Sequence, residues 1–146
     1  MSSDDSPVTG PRVGAYALVG HDDKLLLITH DTGPDLLPGG TVANGEPVER
    51  ALRRRLLEQL GVTVADMDFC AVVEHDTAPG GDRPASEVTF LFDVTLADPD
   101  RLAEHLPTLC QWAGESDLAA LRPEAVRYAL IANCLAAENP WWAWTP

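Results

Sequence analysis

The sequence predicts an α/β fold, a mixed sheet with helices packed on it, and three stretches carry that expectation. Glu46–Leu60 has the spacing of an amphipathic helix, Lys24–Thr29 that of a strand covered on both faces, and Val88–Leu96 that of a long half-buried strand. Strands interleaved with helices, the first two joined by a tight turn, imply a mixed rather than a purely parallel sheet. At 146 residues with no internal repeat or linker, one domain is expected. Residues 1–11, acidic and turn-rich, read as a flexible tail and residues 12–146 as the domain.

Taken in order, Val13 to Val19 is a strand and Gly20-His21-Asp22-Asp23 a turn. Leu25, Leu26, Leu27 and Ile28 follow one another without a polar break, which suits a strand with no solvent face. His30 to Pro38, rich in Asp, Gly and Pro, is loop. In Glu46–Leu60, Pro47 fits an early helical position and Gly61 the C-terminal cap. Val48, Ala51, Leu52, Leu56 and Leu60 supply the apolar stripe. Asp68 to Glu74 is a further apolar strand, and Val88, Phe90, Phe92, Val94 and Leu96 alternate with other residues along the next. The loop from His75 to Ser86 is long enough to be functional. Beyond it come a short helical turn at Asp117–Leu121 and a longer helix from Pro123 to about Ala137.

A net charge of −13 argues against a nucleic-acid polymer as partner, because no basic stretch offsets the repulsion. A small anion responds to local groups and is not excluded. Cys70, Cys110 and Cys134 are widely spaced and odd in number, as buried thiols of a reducing cytoplasm would be. No apolar run reaches the ~18 residues of a membrane span, and the N-terminus has no apolar signal core, so a cytoplasmic protein without membrane contact is expected. Trp141, Trp142 and Trp144 form a cluster rarely left in water. Packing on the domain, a homodimer contact and an aromatic ligand wall are the uses open to it, and Trp112 is expected in the core.

The most informative stretch is Leu37 to Val64, LPGGTVANGEPVERALRRRLLEQLGVTV. Gly40, then five residues, Glu46, then seven, Arg54, with Leu56, Glu58, Gly61 and Val62 following, resembles the box of the Nudix (MutT-like) hydrolase family without a gap. Pro38-Gly39-Gly40 before it and Ala51-Leu52 within it match too, and a weaker likeness extends over most of the chain. The resemblance implies a Nudix-type α/β/α sandwich. It also implies a divalent-metal-dependent hydrolase of a nucleoside diphosphate linked to another moiety, using Mg²⁺ or Mn²⁺.

Two positions depart from that pattern: Arg55 and Gln59 stand where the family has Glu. With Glu58 they occupy one helix face at i, i+3 and i+4. In the family this trio of carboxylates holds a metal ion beside the diphosphate, neutralising its oxygens and activating a water. Here the trio sums to zero where three glutamates give −3, and Mg²⁺ needs hard anionic oxygens. Weak metal binding and weak or altered activity are therefore expected. At about 100° per residue Arg55 and Gln59 fall in the arc of Ala51, Val48 and Leu52, toward the interior edge. A structural reading has Arg55 paired with Glu58 and Gln59 bonded to a loop carbonyl.

By carry-over from the family, Glu58, Arg54 and Glu46 are the candidate catalytic residues, with Glu58 the one metal ligand. Arg55, Gln59, Gly39 and Gly40 are candidate phosphate-binding residues, the guanidinium fork of Arg55 being suited to replace a cation against phosphate. Glu46 is equally readable as a helix cap, and Arg54–Glu58 as an i, i+4 surface pair. Glu74, Glu87, Glu104 and Glu115 are candidates for an acid outside the box, and His75 for a base, although a loop His is commonly solvated. Three functions stay open: an altered hydrolase, an inactive nucleotide or diphosphate-binding module, and a protein-interaction domain on the same fold.

Overall fold

The computed structural model describes residues 12–21, 24–29, 35–76, 86–104, 109–114, 121 and 141–145. The expected helix near Asp117, the helix from Pro123 to Ala137, Cys134, Glu115 and the side chains of Glu104 and of the C-terminal indoles lie outside the described residues.

Two sheets form. The larger takes β1 (Arg12–Leu18), β4 (Gly39–Thr41), β5 (Val64–Asp76), β6 (Ser86–Leu96) and β8 (Trp141–Thr145) in the order β4-β1-β6-β5-β8. Its pairings alternate antiparallel (β4/β1), parallel (β1/β6), antiparallel (β6/β5) and parallel (β5/β8), so the sheet is mixed as expected. The smaller sheet joins β2 (Gly20–His21), β3 (Lys24–Ile28) and β7 (Cys110–Ala113), all antiparallel. Gly20 and His21, read as turn, are the first rungs of the β2–β3 hairpin. Strands β4 and β7, and the short helix α2 (Pro99–Glu104), escaped the sequence reading.

The long helix, α1, spans Val48–Leu60. Glu46 and Pro47 precede it: Pro47 is the N-cap, with an extended backbone at φ −61° and ψ 142°, so the helix starts two residues later than expected. Pro47 still suits the place, because a cap residue needs no helical N–H. Gly61 ends the helix in the left-handed region at φ 66°, and its N–H reaches the Leu57 carbonyl at 2.9 Å. Ala51, Leu52, Leu56 and Leu60 are buried. At ~1.5–3 kcal/mol for each large side chain removed from water, that stripe rather than any polar contact docks the helix on the sheet.

Alternation divides the core into two clusters. Ala15, Ala17, Val19, Phe92, Val94 and Leu96 meet α1, and Leu18, Leu27, Ala71, Val73, Leu91 and Leu121 form the other. The first half of β6 corrects the sequence reading: Glu87, Thr89 and Leu91 are buried, whereas Val88 and Phe90 are only half-buried. A central strand is covered on both faces, so the polar residues of its alternation are enclosed as well.

One irregularity decides where later residues of β5 point. The register with β6 shifts between Phe69 and Ala71, leaving Cys70 as an extra residue. Met67 packs in the α1 cluster, but Ala71 and Val73 lie in the other. His75 consequently stands on the same sheet face as its register partner Glu87.

Candidate functional site

The segment before α1 is held to the helix by three side chains, each through a different chemistry. Glu46 accepts a hydrogen bond from the Ala43 N–H at 3.4 Å and two from Arg54, from Nε at 2.9 Å and Nη2 at 3.0 Å. It makes no helix cap, and ties loop to helix instead. The Arg54 guanidinium foremost, bonded and charged, holds the Glu46 carboxyl below the usual carboxylate range. Arg54 also donates through Nη1 to Glu58 at 3.1 Å, so one guanidinium bridges both candidate catalytic acids.

Gln59 provides the second attachment. Its amide Nε2 donates to the Gly39 carbonyl at 2.8 Å, while its Oε1 accepts from the Gly39 N–H at 2.9 Å. Gly39 has to be glycine for two reasons: its φ is 136°, and a Cβ there would lie 2.2 Å from the Ala15 carbonyl oxygen. The structural expectation for Gln59, a bond to a loop carbonyl, thus holds, although the residue as a whole is solvent-exposed rather than turned inward.

Arg55 is the third. It does not pair with Glu58, which Arg54 takes. Its side chain crosses Gly40 so closely that a Cβ there would sit 2.9 Å from Nε and 3.2 Å from Cδ. Nη2 donates to the Thr41 carbonyl at 3.3 Å, and Nε is buried without a partner. A pocket of about 290 Å³ opens beside these groups, lined by Tyr16, Ile28, Leu36, Leu37, Gly39, Gly40, Thr41, Arg55 and Gln59. The candidate ligand residues Arg55, Gln59, Gly39 and Gly40 therefore share one cavity, and the candidate catalytic residues Glu46, Arg54 and Glu58 form an adjoining network.

Residues 8–133 match the NUDIX domain. The chain belongs to the Nudix family. A MutT Nudix hydrolase from Burkholderia pseudomallei shares 30% identity over 83% of this chain and 96% of its own, with a TM-score of 0.58. A Nudix hydrolase from Nitrosomonas europaea shares 24% over 90% and 93%, with a TM-score of 0.62. An ADP-ribose pyrophosphatase from Streptococcus suis shares 20% over 92% and 98%, with a TM-score of 0.57. Among curated proteins none matches. The fold is accordingly the Nudix-type α/β sandwich that the box implies.

Nudix hydrolases generally use divalent metals. The side chains of this Nudix helix do not fit one. Of the trio, only Glu58 offers a carboxylate, and Arg54 occupies one of its oxygens. The amide of Gln59 is spent on Gly39, and Arg55 brings a positive charge to the same face. Among the described residues, no three His, Cys, Asp or Glu side chains gather closely enough to hold an ion.

Elsewhere the structure corrects one expectation. His75, read as a solvated loop residue, is 4% exposed, and Glu87 beside it is 5% exposed. Thr89, fully buried, links them: it donates to Glu87 Oε1 at 2.8 Å and lies 2.8 Å from His75 Nε2. Burial opposes the Glu87 charge, but the hydrogen bond from Thr89, the His75 ring at 3.7 Å and the Arg12 guanidinium at 3.8 Å outweigh it and lower its pKa. Glu74 is half-buried and alternates onto the other face of β5. Neither Thr89 nor Tyr16 carried a signal in the sequence. Only the Cys70 bulge brings His75 to Glu87, and no pattern announced that bulge. Trp112 is half-buried against the α1 cluster, tilted on His21 with ring centroids 5.4 Å apart. Cys70 and Cys110 are free thiols, their pKa values raised chiefly by burial.

Proposed function

We propose that this pocket binds a small molecule carrying a diphosphate, such as a nucleoside diphosphate linked to another group. In this reading Arg55 takes over the charge neutralisation that a metal ion supplies in other members of the family. The observation that carries it is the state of Arg55: a guanidinium on the pocket wall with one long hydrogen bond at 3.3 Å and an unpaired, buried Nε. A phosphate oxygen gives such a group a charge-assisted partner. Glu58, Arg54 and Glu46 hold the helix and loop in register, and Gln59 fixes Gly39. Mg²⁺ or Mn²⁺ binds weakly, and hydrolysis is weak or absent under ordinary Mg²⁺ conditions.

A second reading keeps the hydrolase. The Burkholderia relative, a hydrolase, shares 30% identity with this chain, and the Glu58 side chain remains 52% exposed, so an acid from outside the box could join it at an ion. Calorimetry separates the two. The first expects ADP-ribose, UDP-glucose or ADP to bind with EDTA present, and Arg55→Ala to weaken the best of them roughly tenfold or more, since a bond to a charged group contributes ~1.5–3 kcal/mol. Binding that requires Mg²⁺, with turnover abolished by Glu58→Gln and untouched by Arg55→Ala, would establish the second and refute the first. Nucleic-acid polymers and membranes are not partners in either reading.

A further inference from the structure

Whether a phosphate ligand enters this pocket with or without a metal ion on it depends on which atoms the polar wall presents. Among the described residues that line the pocket there is one cation, Arg55, and no carboxylate. The backbone carbonyls a cation would use there are already taken by donors. Gln59 Nε2 donates to the Gly39 carbonyl at 2.8 Å, and Arg55 Nη2 donates to the Thr41 carbonyl at 3.3 Å. The Gln59 amide oxygen accepts from the Gly39 N–H at 2.9 Å. What the wall has unsatisfied is a donor, Arg55 Nε, buried without a partner among the described residues.

The acids nearby do not change that sign. Glu46 accepts twice from Arg54 and Glu58 once, and neither lines the pocket. Asp35, next in sequence to the lining residue Leu36, accepts from Gln111 at 3.3 Å. Glu87 is buried and accepts from Thr89 at 2.8 Å. A wall of donors around one guanidinium is the opposite of what Mg²⁺ requires, which is hard anionic oxygens in a near-ideal octahedron.

A bare diphosphate and its Mg²⁺ complex are therefore different ligands for this wall. The bare form offers several anionic oxygens to Arg55. In the complex those oxygens are bound to the ion, which keeps several of its waters and cancels most of the charge that Arg55 would meet. Arg55 and the ion compete for the same atoms.

We propose that the pocket selects the metal-free form of its ligand, so that Mg²⁺ opposes binding by sequestering the phosphate oxygens that Arg55 requires. The proposal rests on the diphosphate reading above and adds a regulation to it. Occupancy falls as the free divalent cation rises, the reverse of the response of a metal-dependent site.

The non-hydrolysable methylene analogue of ADP reads that sign by calorimetry with no turnover, at constant ionic strength, first with EDTA and then with rising free Mg²⁺. Its apparent Kd rises about tenfold by the Mg²⁺ concentration that saturates the analogue, as loss of a bond to a charged group does. The exchange-inert cobalt(III) ammine complex of pyrophosphate, whose metal cannot leave, binds about tenfold more weakly than pyrophosphate with EDTA. Arg55→Gln binds the analogue about tenfold more weakly with EDTA, and Mg²⁺ no longer changes its affinity. The wild-type titrations decide the matter even where that variant does not fold. If neither the analogue nor pyrophosphate binds with EDTA, the diphosphate reading falls and this proposal with it. If both bind and Mg²⁺ leaves the affinity unchanged or raises it, or if Mg²⁺ weakens folded Arg55→Gln as much as wild type, selection by Arg55 alone is overturned.

Discussion

Removing the Gln59 amide tests whether the side chains present have taken over the task of shaping the loop before α1. In Gln59→Ala, the N–H and the carbonyl of Gly39 both lose their partner, and Gly39 is buried. Two bonds at ~0.5–1.5 kcal/mol each place the loss near 2 kcal/mol, with partial access of water to the loop reducing it and unpaired buried backbone increasing it. For a chain of this length that is a fall in Tm of about 4–8 °C, measurable by calorimetry or circular dichroism. Gln59→Glu sharpens the test because it keeps the shape and changes only the donor. Ionised, the new carboxylate accepts from the Gly39 N–H but turns an acceptor toward the Gly39 carbonyl; protonated, it restores both bonds. The nearby Arg55 charge favours the ionised form, though a charge partly in solvent is worth less than a buried carbonyl left facing an oxygen. The folded-state pKa of the new group is therefore raised above the ordinary ~4.3. Its stabilising contribution is present in full below that ordinary value and is lost as pH rises through the folded value. Relative to wild type, Gln59→Glu should recover stability as pH falls from 7 toward 4. A Tm for Gln59→Ala equal to wild type, or a Gln59→Glu curve parallel to wild type at every pH, would refute the reasoning.

Three further outcomes follow from the same geometry. Arg55→Glu combined with Gln59→Glu moves the helix trio from zero to −3 and should create Mg²⁺ affinity detectable by titration calorimetry; a folded double variant without any gain would show that the site has diverged beyond these two positions. Glu46 has its pKa lowered by Arg54, so its contribution to stability is present above the ordinary carboxylate pKa and lost as pH falls through the depressed folded value. Glu46→Gln should flatten that acid limb, and a denaturation profile unchanged below pH 5 would contradict the assigned bond. Deleting residues 141–146 removes β8 and bares the backbone of β5 opposite Trp141 and Trp142, which should lower Tm and promote association through the exposed edge; a truncated chain as stable and as monodisperse as the full one would show that the strand contributes nothing.

How much of this was legible depended on whether the signal was local. The α1 stripe, the Gly61 cap and the run Leu25–Ile28 state their structure within a few residues, and each formed as expected. The loop–helix spacing identified the family, and Gly39, Gly40, Arg55 and Gln59 do share a cavity. Strand β4 was missed because Gly39-Gly40-Thr41 has almost no side chains with which to show a period; its strand character comes from antiparallel pairing with the distant Gly14 to Tyr16, Thr41 opposite Gly14 and Gly39 opposite Tyr16. The His75–Thr89–Glu87 group was missed for a related reason. A period of two predicts which residues of β6 share a face, but not that a bulge at Cys70 turns His75 onto it.

The departures from the box are better understood together than one at a time. Replacing a glutamate by Gln59 costs a metal ligand, but an amide is the smallest change that can both give and take a hydrogen bond, and Gly39 requires both. Replacing another by Arg55 would place an unmatched cation beside a metal ion; without the metal, the same charge is free to face an anion. Each change alone spoils the ion site and gains little. On the proposed reading, the two made together remove the need for an ion to hold the loop and supply the charge an ion would have brought. Glu58 and Glu46 remain because Arg54 needs both to brace the loop against the helix, a role that survives the loss of metal chemistry. The retained brace, the clamp on Gly39 and the open guanidinium argue for a pocket that still binds.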